Sequence, residues 1–242
     1  MNKLERLIEK KITKGIMKYK MIEDGDRVLM GVSGGKDSML LAYHLSKKSK
    51  SFPINFEFKV LHIESEFGNA AEKANMIKLL EEWGVDYEIL PVGVIKRLKP
   101  GRKMNCYWCS TQRRTELLKY AVEKGYNKIA LGHHMDDIVE SLMMNMALKG
   151  KISTMLPILK YDRYEQSIIR PLCYVQEHEI IKMADNMGIT KCTCQCGFAD
   201  NSKRRDMRNI IQQMADTHGN IVRDNLYKSM SNIVDRYLPD PD

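Results

Sequence analysis

The chain has 242 residues, of which 43% are apolar and 29% charged, enough to bury one sizeable globular core. Lys and Arg outnumber Asp and Glu by 39 to 31, a formal net charge of +8 that suits anionic partners. This composition excludes disordered, collagenous and low-complexity chains, and no apolar run is long enough to span a bilayer.

Residues 3–21 carry Leu4, Leu7, Ile8, Ile12, Ile16 and Met17 at helical spacing, which predicts an amphipathic helix with a basic outer face. The opening MNKLERLIEKKITKG lacks the unbroken apolar segment of a secretory signal, so a soluble cytoplasmic protein without membrane partners is expected. After a turn at Asp24-Gly25-Asp26, Arg27–Val32 reads as a short buried strand. It runs through Ser33-Gly34-Gly35-Lys36-Asp37-Ser38 into a helix from Met39 to about Ser46. Further strands are expected at Phe56–Ile63, Tyr87–Val92, Lys128–Leu131 and Ile168–Leu172. Helices are expected at Ala70–Trp83, Thr111–Lys124, Asp136–Leu148 and Glu177–Met187, with Cys106 and Cys109 in a loop before Thr111. This alternation argues for an α/β fold with a doubly wound, mostly parallel five-stranded sheet and N- and C-terminal helices. Beyond residue 189 the chain turns irregular, Cys-rich and basic before two last helices, Arg205–Met214 and Arg223–Tyr237. The second aligns Leu226, Met230, Ile233 and Val234, read either as a homodimer surface or as a cap on the domain's own core.

Ligands in such sheets sit beyond the carboxyl ends of the strands, which singles out the Gly-Gly turn, Glu64 and the turn at 132–137. Paired glycines at Gly34 and Gly35 let the backbone take positive φ and approach an anion, and the following helix adds N–H donors and its positive end. Ser33 and Ser38 add hydroxyls and Lys36 a charge, whereas Asp37 repels phosphate unless it holds a metal or a helix N–H. The hexapeptide is neither a nucleoside-triphosphatase P-loop nor a Rossmann fingerprint, and an ordinary strand-to-helix turn is the bland alternative. In Gly132-His133-His134-Met135-Asp136-Asp137, N-capping accounts for one acid. Two acids beside two histidines point further, because hard carboxylate oxygens suit Mg²⁺ bridging phosphates. Six cysteines in a reducing compartment suggest metal or redox chemistry rather than disulfides. Cys173, in a predicted strand, reads as a small packed apolar residue. For Cys106, Cys109, Cys192, Cys194 and Cys196 three readings stay open: structural zinc, which spacing favours, a redox pair, or an iron–sulfur cluster held by three thiolates.

SGGKDS after a buried strand resembles the signature of the PP-loop ATP pyrophosphatases, which cleave ATP between the α and β phosphates and attach AMP to a substrate oxygen. Within that superfamily the chain is most similar to the TtcA family, the tRNA 2-thiocytidine synthetases. The resemblance rests on SGGKDS at 33–38, CYWCSTQRR at 106–114, LGHHMDDIVESLMMN at 131–145, IIRPLCYVQEHEI at 168–180 and CG at 196–197. It departs from the family at Thr193, where a cysteine is common, and at Ser141, where threonine is usual. The resemblance implies a basic helix at 1–22, an ATP-binding domain at 23–190 with an inserted C-x-x-C segment, and a segment at 191–242 packed on the same domain. It implies ATP binding by Ser33, Gly34, Gly35, Lys36, Asp37, Ser38, Gly132 and His133, and Mg²⁺ on Asp37 with Asp136 or Asp137. A [4Fe–4S] cluster falls on Cys106, Cys109 and Cys196, and the catalytic set becomes Asp37, Asp137, Cys106 and Cys109. The implied reaction adenylates an anticodon-loop cytidine and replaces its C2 oxygen with sulfur from a separate persulfide donor of the cysteine desulfurase type. The alternatives are the same ATP chemistry on another acceptor, or a zinc- and nucleotide-binding RNA-associated protein without turnover.

From Lys96 to Arg114 there are seven basic residues and no acid, and a second basic cluster follows the late cysteines. Arg102, Lys103, Arg113, Arg114, Lys203, Arg204 and Arg205 are therefore candidates for a tRNA backbone, with Tyr107 or Trp108 to stack a splayed base.

Overall fold

The strand at Arg27–Val32 becomes the middle of a sheet in the computed structural model, which describes residues 2–99, 101–189 and 203–237. Cys192, Cys194 and Cys196, and with them the third thiolate expected for a cluster, lie outside the described residues. The helix α1 (Lys3–Tyr19) leads into β1 (Asp26–Val32), whose Val28, Leu29 and Met30 are fully buried, as a parallel strand covered on both faces requires. Then follow α2 (Lys36–Ser51), β2 (Phe56–Glu64), α3 (Ala70–Glu82), β3 (Tyr87–Pro91), α4 (Cys106–Glu123) and β4 (Lys128–Ala130). After α5 (Met135–Lys149) come β5 (Ile158–Lys160), β6 (Ser167–Ile169), α6 (Glu177–Asn186), α7 (Lys203–His218) and α8 (Ile221–Ser229). The strand order is β3-β2-β1-β4-β6-β5, parallel throughout except for β5, which runs antiparallel to β6.

The sheet thus has six strands where five were expected. The addition, β5, is three residues long at the sheet edge and owes its extended form to pairing with β6, a tertiary cause that no local pattern announces. The order reverses direction between β1 and β4, the crevice where doubly wound sheets bind ligands. Both the Gly-Gly turn and the turn at Gly132 leave the sheet there.

Residues 2–134 and 156–189 form one compact unit, and residues 135–155 and 203–237 a second. In the first, Leu29, Leu61 and Ile129 on one sheet face pack with Leu117, Tyr120 and Ala121 of α4. Alternation turns Val28, Met30 and Val60 to the other face, where α2 lies against β1 and β2. Ile8, Ile12 and Ile16 of α1 are completely buried, each contributing roughly 2 kcal/mol. In the second unit α5, α7 and α8 pack together, with Met207, Ile211 and Ala215 as the buried stripe of α7.

The helix after the Gly-Gly turn runs Lys36–Ser51, longer at both ends than the expected Met39–Ser46, and two further helices change. The helix over Thr111–Lys124 starts earlier, at Cys106, because the Asn105 side chain caps it by accepting from the Trp108 N–H at 2.8 Å. The cysteine pair therefore stands on a helical turn, not in a loop. The helix expected over Arg223–Tyr237 ends at Ser229, followed by a one-turn 3₁₀ helix at Asp235–Tyr237. Ser229 and Ser231 hydroxyls donate back to the carbonyls of Leu226 and Lys228, competition that ends helices. Leu226, Met230, Ile233 and Val234 consequently do not share one helix face. Among the described residues no helix is long and apolar enough to cross a membrane.

Candidate active site

The Gly-Gly turn is built around Ser33 and Ser38. Gly34 takes φ +86°, the left-handed region that glycine alone enters without strain. Gly35 is the N-cap of α2 with no capping side chain, so the first turn of the helix keeps its donors for a ligand. Ser38 Oγ donates to the Gly35 carbonyl at 2.9 Å and lies 3.2 Å from both the Ser33 N and Ser33 Oγ, closing the loop on itself. Gly132 sits directly against this nest: a Cβ there would lie 3.0 Å from the Ser38 N and 3.1 Å from the Asp37 carbonyl carbon. Next to it, the buried His134 places Nε2 3.8 Å from Asp37 Oδ1.

Lys36 is gripped by two acids, Asp37 Oδ1 and Glu177 Oε1 of α6, each at 3.0 Å. Burial depresses its pKa, but the two carboxylates outweigh that, so the ammonium stays charged beside the loop. The signal for Glu177 was present in the EHEI stretch but carried no charge pattern that pointed to Lys36.

Ser33, Gly34 and Gly35 open onto a cavity of about 330 Å³ whose walls also carry His62, Glu64, Lys73, Cys109 and Arg113. Glu64, at the end of β2, accepts from Lys73 Nζ at 2.6 Å. His62 Nδ1 is 2.9 Å from the Val32 carbonyl oxygen, which only accepts, so Nδ1 carries the proton and the neutral ring keeps its lone pair on Nε2. Burial holds its pKa below the ordinary histidine value, although the Val32 carbonyl pulls the other way. The sequence pattern missed His62, whose only signal is its place at the carboxyl end of β2. Arg113 is half-buried in this wall rather than on an open basic surface, unlike Arg102 and Lys103, which are exposed. The exposed Arg114 donates Nε–H to the Ser110 carbonyl at 3.2 Å.

Cys106 and Cys109 occupy the first turn of α4, Cys106 exposed and Cys109 buried at the cavity wall. Positions i and i+3 bring both sulfurs to one helix face, and the positive end of the helix favours thiolates there. Of the neighbouring aromatics, Trp108 packs against the core and its Nε1–H points to the Val94 carbonyl at 3.4 Å, whereas Tyr107 is 76% exposed. Cys173 is buried in the turn after β6, not in a strand. Among the described residues no three His, Cys, Asp or Glu side chains are grouped to hold a metal.

The acids of the second turn belong to the other unit. Asp136 accepts from Arg223 Nε at 2.8 Å, both groups being buried. Asp137 lies 3.7 Å from Arg204, which also approaches Glu140 and donates to Ser141 Oγ at 3.0 Å. Arg204 is thereby engaged within the unit, while Lys203 and Arg205 are exposed.

Comparison with known proteins agrees with this geometry. A PP-loop domain family matches residues 4–215. The chain is 35% identical to the tRNA-cytidine(32) 2-sulfurtransferase of Vibrio cholerae serotype O1 (strain M66-2), over 99% of this chain and 78% of that protein. It is 37% identical to the protein of the same name from Polynucleobacter necessarius subsp. necessarius (strain STIR1), over 99% and 80%. Among solved structures, the U34-tRNA thiolase NcsA from Methanococcus maripaludis with its [4Fe–4S] cluster shares the fold with a TM-score of 0.78 at 19% identity, covering 98% of this chain and 84% of that one.

Proposed function

The chain belongs to the PP-loop family and, within it, to the TtcA family of ATP-using tRNA sulfurtransferases, and we propose that it forms 2-thiocytidine in the anticodon loop by adenylating the C2 oxygen of a cytidine. The observation that carries this reading is the single cavity that Ser33, Gly34 and Gly35 share with Cys109 and Arg113. An anion cradle and a thiolate site then serve one nucleobase.

The β and γ phosphates of ATP lie against the Ser33–Ser38 loop and the first turn of α2, with Lys36 neutralising charge. Asp37 would hold Mg²⁺, which would supply positive charge to stabilise the departing pyrophosphate. The cytidine C2 oxygen attacks the α phosphorus, the bond to pyrophosphate breaks, and the guanidinium of Arg113 offsets the charge gathering on the α phosphate. A pyrimidine carbonyl oxygen leaves poorly and AMP leaves well, so adenylation is what makes the base substitutable. Sulfide-level sulfur, formed when a thiol reductant cleaves the S–S bond of the persulfide donor, then adds at C2 as hydrosulfide and gives up its proton, and AMP departs with the original oxygen. His62 lines the cavity with Nδ1 committed to the Val32 carbonyl, which leaves Nε2 to accept a hydrogen bond from the bound nucleotide or base.

Cys106 and Cys109, on the first turn of α4 where the positive helix end favours thiolates, would hold the metal side of this chemistry, and the sequence resemblance assigns the third ligand to Cys196. A [4Fe–4S] cluster held there would supply iron able to bind the sulfide that thiol reduction of a separate persulfide donor releases. Anaerobic purification with iron and zinc quantification tests this. About four irons per chain and loss of tRNA thiocytidine in Cys106→Ala, with ATP-analogue binding retained, are expected. One zinc per chain, or loss of nucleotide binding along with thiolation, would overturn it.

A further inference from the structure

The basic face of α1 takes no part in the chemistry above. Both acids of this helix turn inward. Glu5 accepts from Tyr43 Oη and Lys47 Nζ, each at 2.9 Å, while Glu9 accepts from His44 Nδ1 at 2.7 Å and from the buried Lys48. Outward stand Lys3, Arg6, Lys10, Lys14 and Lys18, all exposed and without an acidic partner among the described residues. Steps of three and four residues keep all five on one stripe, about 22 Å long at 1.5 Å per residue.

Two of these cations are positioned by aromatic rings. Lys14 Nζ is 4.7 Å from the centre of the Tyr174 ring and Lys18 Nζ 5.5 Å from that of Tyr19. The two rings stack 6.0 Å apart with their hydroxyls 3.0 Å from one another. Restricting a lysine in this way lessens the rotamer entropy it loses on meeting an anion. The helix that carries the stripe is tied to the same turn of α6 as Lys36 of the phosphate loop. Glu179 Oε1 is 2.6 Å from Lys11 in the middle of α1, and Glu177 Oε1 is 3.0 Å from Lys36.

A face that serves solubility alone intersperses both signs of charge, and this one does not. A membrane-surface helix opposes its cations with an apolar face free to enter lipid, whereas Ile8, Ile12 and Ile16 are buried inside the protein. We propose that the outer stripe of α1 is a docking surface for the sugar–phosphate backbone of RNA, holding the tRNA beside the cavity while an anticodon-loop base enters it. This rests on the tRNA reading above and adds a second contact region to the segment around Arg102 and Lys103.

Two variants that each lose three positive charges test it: Lys10→Ala/Lys14→Ala/Lys18→Ala on the stripe, and Lys78→Ala/Lys124→Ala/Lys160→Ala elsewhere on the exposed surface. The full chain is titrated with an unmodified tRNA transcript between about 50 and 300 mM salt, each lost phosphate contact flattening the log–log slope by roughly 0.7–0.9. The stripe variant is expected to flatten it by about 2 and to bind about tenfold more weakly near 150 mM, with melting temperature and ATP-analogue affinity unchanged. The control should stay within about twofold of wild type. Equal losses in both variants, no loss in the first, or loss of binding to anionic vesicles with tRNA binding intact would overturn the docking surface. A wild-type chain that fails to bind tRNA at all would instead overturn the tRNA reading.

Discussion

Gly132→Ala asks whether the two turns at the switch point must touch for nucleotide to bind. The added methyl would lie 3.0 Å from the Ser38 N and 3.1 Å from both the Ser38 Cα and the Asp37 carbonyl carbon. Comfortable separations are about 3.5–4.0 Å, so roughly 0.5 Å of movement is required. The atoms in the way are backbone at the head of α2, which yields only by shifting the helix terminus and the loop together. Overpacking of this kind costs about 1–3 kcal/mol of stability. Displacing the anion donors should weaken a non-hydrolysable ATP analogue about tenfold, or roughly 1.4 kcal/mol, read by titration calorimetry beside thermal unfolding. Gly25→Ala is the control, because Gly25 has φ +81° and nothing within 4 Å of its added Cβ. Backbone strain there costs about 1–2 kcal/mol and should leave nucleotide affinity untouched. A Gly132→Ala protein that binds the analogue as tightly as wild type would refute the reasoning, as would a Gly25→Ala protein that binds it equally poorly.

Burial raises the pKa of Glu9, but hydrogen bonds from His44 and Lys48 prevail and hold it down at about 2 against an ordinary 4.5. A depressed carboxyl stabilises the fold fully above about pH 4.5 and loses that contribution as pH falls toward 2. Glu9→Gln should therefore cost about 3 kcal/mol in urea unfolding at pH 7, with the deficit shrinking through that acid window. A pH-independent deficit would show that packing, not charge, is at stake. Arg223→Met leaves Asp136 buried without its guanidinium and should cost about 3–5 kcal/mol, most of it recovered by Arg223→Met/Asp136→Leu; additive losses in the pair would contradict this. Arg113→Gln should lower the turnover rate more than tenfold with tRNA affinity within twofold, whereas Arg102→Ala/Lys103→Ala should do the reverse in tRNA binding and single-turnover assays. Equal effects on both readouts would return Arg113 to the docking surface.

The phosphate loop was legible because glycine, hydroxyl residues and a strand-to-helix switch are local signals, and local geometry is what makes the nest. The order of strands and helices was legible for the same reason, since each long element carries its own periodicity. What escaped depends on partners distant in the chain. β5 exists by pairing with β6, and Glu177 matters because folding brings it to Lys36. Arg113 looked like part of a basic run, yet a helix turns every residue by about 100°, so Arg113 faces the cavity wall while Arg114 is exposed. Asp136 and Asp137 looked alike in sequence, but folding commits Asp136 to Arg223. The start of α4 lies five residues before the expected Thr111 because Asn105 caps it, the detail that places the cysteine pair on the first turn of a helix.

The most direct test of the account is anaerobic turnover of the iron-loaded protein with ATP, sulfide and unmodified tRNA, followed by digestion of the RNA and nucleoside mass spectrometry. The expected product is 2-thiocytidine at an anticodon-loop cytidine, with one AMP and one pyrophosphate released for each sulfur incorporated. ATP cleaved to ADP and phosphate, or sulfur found on another base or on none, would contradict it.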